Sequence, residues 1–152
     1  MEFIEFLDKT EVEIIKIVEK KGYKTAENTK LCLLSQNYVG FLNRTKKELI
    51  ICTINIKKRE GYTHLRKKNQ DILERTSLHI KKAVRHEAVH VAQECNGGNL
   101  LKIDKKLSMN PSKINALNGS IKISGEAEKE RQAYILEDKP KLIINELRKY
   151  CL

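Results

Sequence analysis

His86 and His90 stand four residues apart, with Glu87 directly after the first, in the run AVRHEAVHVAQEC. On a helix, residues four apart lie on one face about a turn apart, so both imidazoles can reach a single ion. Two histidines so placed suit a tetrahedral zinc, and the glutamate between them can take a proton from an attacking water. With four histidines in 152 residues, an HExxH match is expected by chance only about 0.01 times. At about 100° per residue, Val84, Ala88, Val91 and Cys95 fall together on the side away from both histidines. The helix is therefore expected to bury that face and present the histidines from the other, with Ala83 and Gln93 flanking them.

A catalytic zinc also needs a third protein ligand and an open position. The three-histidine pattern HExxHxxGxxH requires a glycine and a histidine where this chain has Gln93 and Asn96, and His64 and His79 lie upstream. A carboxylate is then the expected third ligand. The segment GEAEKERQAYILED supplies candidates, because Glu126, Glu130, Ala133 and Glu137 follow a helical stripe.

The segment HEAVHVAQ, with Glu130-Arg131-Gln132-Ala133 downstream, resembles the gluzincin group of HExxH zinc metallopeptidases, most closely their smallest single-domain members. Short zincin-like proteins associated with phages and bacteria carry a similar segment. The resemblance covers residues 83–95 and, more loosely, 126–137. It implies Zn2+ as cofactor, held by His86, His90 and Glu130, with Glu87 as general base for peptide-bond hydrolysis by a metal-activated water. The Glu-x-x-Ala form of the third ligand favours Glu130 over Glu126, since the small Ala133 lets two helices approach. An oxyanion donor besides the metal is also required. Tyr134, near the Glu130 face, is the candidate, with Tyr150 and His64 as others. The resemblance further implies a sheet edge beside the cleft that pairs with extended substrate, either 38–42 or 48–55. Glu137 is a candidate for the acid that orients a zinc-binding histidine.

The elements that must position these groups read as an α+β domain over 1–152, with an N-terminal helix, a small antiparallel sheet of about three strands, then the HExxH helix and C-terminal helices. Thr10 with Glu13 suggests a capping box, and Gly22 ends the first helix. Strands are expected near 30–34, 38–42 and 48–55, the last being the most apolar and the most buried. Thr63 caps a polar helix to about Arg75, and a second helix runs from Thr76 or Ser77 to Glu94 or Cys95, stopped by Asn96-Gly97-Gly98. Residues 99–124 read mostly as loop, a length that is functional or hides a short helix. A helix then runs from Ser124-Gly125 to about Glu137, and Pro140 opens the last, ending at Cys151.

Composition bounds the rest. At 40% hydrophobic residues, the chain can bury a core, and no apolar run is long enough to span a membrane. The N-terminus carries acids before bases, unlike a secretory signal, so a cytoplasmic location is expected. Cys32, Cys52, Cys95 and Cys151 form no CxxC pair and are expected to be buried thiols. The net charge of +10 suits nucleic acid. Its lysines come as dispersed pairs with few aromatics for base stacking, which favours a solvated surface instead. The expected partner is a peptide or protein substrate. Two alternatives stand beside the peptidase: a non-catalytic zincin-fold interaction module, and a basic nucleic-acid-binding protein.

Overall fold

The computed structural model describes residues 1–152 and is α+β. A 3-10 turn, Glu2–Phe6, leads into α1 (Lys9–Lys20). Next come β1 (Lys24–Glu27), a 3-10 turn at Lys30–Leu34, β2 (Gly40–Asn43) and β3 (Glu48–Ile51). The remainder is helical: α2 (Thr53–Glu60), α3 (Gln70–Cys95), α4 (Ile114–Ser124), α5 (Ala127–Leu136) and α6 (Pro140–Cys151). No helix is long and apolar enough to cross a membrane.

The three strands form a sheet of order β1-β3-β2. The antiparallel pairing expected of this sheet holds for β2 and β3, where Gly40 faces Ile51 and Asn43 faces Glu48. β1 instead runs parallel to β3, so the sheet is mixed. Its first strand is Lys24–Glu27 rather than 30–34. The latter segment is a 3-10 turn whose exposed Leu33 and Leu34 leave no alternation for a strand to use. β3 buries Leu49, Ile50 and Ile51 as its apolar character suggests, but it stops at Ile51. Thr53 onward turns into α2, and the Asn55 amide ties the preceding loop by donating to the carbonyls of Cys32, Ser35 and Tyr38.

The starts of α1 and α3 differ from the expected ones for identifiable reasons. α1 is capped by Asp8, whose N–H donates to Glu11 Oε1 at 3.2 Å. Glu11 is fully buried and accepts from the Arg85 guanidinium, and the box lies two residues before Thr10–Glu13. α3 is one helix of 26 residues rather than two. Its cap is Asn69, which accepts from the Ile72 N–H, and 62–69 is a turn. Thr76 does not cap a new helix, because its hydroxyl donates back to the Ile72 carbonyl at 2.7 Å inside the same one. The stretch 99–124 contains α4.

α3 is the axis of the core. Val84, Ala88 and Val91 are fully buried on the expected face. The opposite face is covered too, since α5 packs on it with Ala133 and Leu136 fully buried. The cysteines are not thiols as expected: Cys32 is bonded to Cys52 and Cys95 to Cys151. Each partner had a neighbour brought within reach by the fold, 20 and 56 residues away in sequence, a pairing that spacing alone does not reveal. The second bond pins the end of α3 to the end of α6.

Candidate metal centre

α3 and α5 cross where both carry polar groups. His86 and His90 project from α3, and Glu130 reaches them from the first turn of α5. His86 Nε2 lies 2.9 Å from Glu130 Oε2, and His90 Nε2 lies 3.1 Å from Glu130 Oε1. One donor atom from each of the three falls within 4.8 Å of the others, and all three side chains are buried. A single cation with bonds of about 2.0–2.2 Å closes that spread with small side-chain rotations. The fit has a direct sign. His90 Nε2 is close to Glu130 but misaligned for a hydrogen bond, which leaves it buried without a hydrogen-bond partner. A buried imidazole nitrogen without a partner is costly, and a metal ion at this point would satisfy it. The three residues therefore form a group that could bind a metal.

Each histidine is oriented by a second partner through its other nitrogen. His86 Nδ1 lies 3.1 Å from Glu137 Oε2. His90 Nδ1 lies 2.8 Å from Gln93 Oε1. Gln93 in turn donates to Gln132 Oε1 and to the Lys129 carbonyl, and Gln132 clasps Leu101 through both its backbone N–H and its carbonyl at 2.9 Å. Outer partners of this kind fix which nitrogen faces a metal. Glu137 was visible in the sequence as an acid on the stripe. Gln93 was visible only as a flank of the histidine face, and the role of Gln132 carried no signal, because it depends on which loop folds over α5.

The other acid considered as a ligand, Glu126, lies off the site. It accepts from Arg44 at 2.8 Å and from Lys129, and these contacts hold its carboxyl below the usual range, the Arg44 bond foremost. Arg44 also pairs with Glu94 at 2.6 Å, so it joins the β2–β3 turn to both helices.

Glu87 is buried beside the two histidines. β2 comes against it at Gly40, where an added Cβ would sit 3.2 Å from Glu87 Cγ and 3.0 Å from the Ile50 carbonyl oxygen. Only glycine lets that backbone approach so near. With Gly40 at Glu87 and Arg44 at Glu94, β2 runs alongside α3 in the same direction. Burial raises the Glu87 carboxyl above its ordinary value, against the pull of His86 and His90. A carboxylate so raised is a stronger base.

Tyr134 does not aim its hydroxyl at this centre. Its ring packs edge-on against His86, with centroids 4.4 Å apart. The hydroxyl bonds Ser120 Oγ at 2.7 Å and the Ala116 carbonyl at 3.2 Å, both on α4. Burial, offset by the Ser120 bond and reinforced by Glu130, pushes it up to about 12. In this arrangement Tyr134 walls His86 and ties α4 to α5, and the oxyanion role assigned to it has no geometric support. Neither alternative joins the cluster: His64 lies in the exposed 62–69 turn, and Tyr150, on α6, sits beside the Lys149 ammonium.

The metal-free electrostatics yield a prediction. Burial works to lower His86, yet the bonds to Glu130 and Glu137 and the charge of Glu87 outweigh it and raise the ring to about 10. Ligation requires the neutral ring, so metal uptake must displace a proton. Affinity is expected to rise with pH between about 6 and 9, approaching about tenfold per unit from this proton. Competition titrations at several pH values read it, and a flat profile contradicts it.

Fold and site define an α+β domain in which a long central helix and the helix folded onto it hold a buried His–His–Glu group. The family model described as "Domain of unknown function (DUF8637)" matches residues 3–152, and the chain belongs to that family. No curated protein and no solved structure matches the chain.

Proposed function

We propose that the protein is a zinc-dependent peptidase of gluzincin type, with His86, His90 and Glu130 as metal ligands and Glu87 as general base. The observation that carries this reading is the convergence on one side of α3 of three metal-donor residues and a buried carboxylate. Two imidazoles and a carboxylate suit zinc and leave room for a fourth position. When bound, zinc would supply Lewis acidity to a water and to the scissile carbonyl. Glu87 takes the proton of the attacking water and hands it to the leaving amine. Glu137 and Gln93 keep both rings turned toward the ion.

β2 is the strand for the substrate. β3 is central, paired on both sides, so of the two segments considered only β2 has a free edge. An extended peptide pairs there through backbone bonds, and Gly40 brings its line close to Glu87. The four site residues are each less than a tenth exposed, which fits narrow or regulated cleavage rather than broad digestion. Its two disulfides, which persist in oxidising surroundings, favour such a compartment over the cytoplasm.

That same burial favours one rival: an interaction module whose zinc is only structural. A structural site has no use for a base, and Glu87 distinguishes the two. The test is hydrolysis of a quenched-fluorescent peptide library. The peptidase reading expects cleavage that stops with chelator and returns with added zinc. Zinc-loaded protein that cleaves no member of the library supports the module instead.

A further inference from the structure

We propose that Lys113 is a positioning residue for the metal centre, holding from a segment without ligands the carboxylate that holds His86. The inference rests on the zinc reading above. Lys113 ends the 3-10 turn Pro111–Lys113, and its side chain is buried. Its ammonium lies 2.8 Å from Glu137 Oε1, 2.5 Å from Asp138 Oδ2 and 2.9 Å from the Tyr134 carbonyl. The contacts to Asp138 and the Tyr134 carbonyl are hydrogen bonds, and the contact to Glu137 is an ion pair.

The consequence falls on Glu137. With Oε1 held by the ammonium, Oε2 is the oxygen turned to His86 Nδ1, at 3.1 Å. A proton held on Nδ1 makes Nε2, which faces Glu130 and the metal position, the nitrogen that gives up its proton to a metal. A relay of four groups, Lys113, Glu137, His86 and Glu130, thus runs from the segment before α4 into the centre. A lysine buried this deeply is expensive unless fully paired, and a tie that only fastened a loop could be made at the surface. His90 is braced likewise through Gln93 and Gln132 to Leu101. The segment 101–113 therefore reaches both histidines without supplying a ligand.

The test is zinc affinity by chelator competition for wild type, Lys113→Met, Lys113→Gln and Lys113→Arg, with folding checked by circular dichroism. A second readout needs no metal: the slowly exchanging His86 Nδ1–H resonance in proton NMR. Lys113→Met and Lys113→Gln are expected to weaken zinc binding about 10- to 100-fold and to lose the resonance, and Lys113→Arg to restore most of both. Lys113→Gln keeps a polar group at this position, so it serves if the Met variant unfolds. Wild-type affinity and an intact resonance in the uncharged variants overturn the inference and leave the zinc reading standing. A wild type that binds no zinc overturns the zinc reading, and the inference with it.

Discussion

Glu87→Gln is expected to lower peptide hydrolysis about 10²- to 10⁴-fold while the protein keeps its zinc. The substitution preserves shape, so the close contact with Gly40 survives. It removes only the ability to accept a proton. Glu87 is not among the three donors that converge, so metal content should not change. Activity in Glu87→Gln equal to wild type would remove Glu87 from the mechanism. Loss of zinc together with activity would make it a ligand or a structural group.

Reduction of the disulfides is the second large effect. Cys32–Cys52 and Cys95–Cys151 close loops of 20 and 56 residues, worth about 3 and about 4 kcal/mol by loop-closure entropy. The total stability of a domain is about 5–15 kcal/mol, so their joint loss is a large share of it. Replacing Cys95 and Cys151 with alanine is expected to lower Tm by about 10 °C. That bond ends the helix that carries both histidines, so the metal centre should loosen with it. An unchanged Tm in reductant would show that the bonds contribute nothing to the folded state.

The parts of this protein legible in its sequence are those set by local rules. The HExxH spacing places His86 and His90 on one face of any helix, and the stripe from Glu126 to Glu137 places Glu130 and Glu137 on one face of another. α6 starts at Pro140 and ends at Cys151 as read, because proline at a first turn is an unambiguous signal. The illegible parts depend on tertiary contacts. β1 is a short, polar strand that exists because β3 pairs with it. α2 follows β3 without a break in apolar character, so period alone merged them. Lys113 and Gln132 matter only because the segment 101–113 folds back over α5. The Cys pairs share the same cause, since proximity comes from the fold. Tyr134 lies on the same helix as Glu130, but a helical stripe gives no sense of where a hydroxyl points, and α4 captures it.

The central claim is that His86, His90 and Glu130 hold one zinc. Elemental analysis of protein purified without chelator tests it most directly, on wild type, His86→Ala and Glu130→Ala. One zinc per chain in the wild type, lost in both variants, is the expected result. Zinc retained in Glu130→Ala would move the third ligand elsewhere, and no zinc in the wild type even after metal is added would contradict the account.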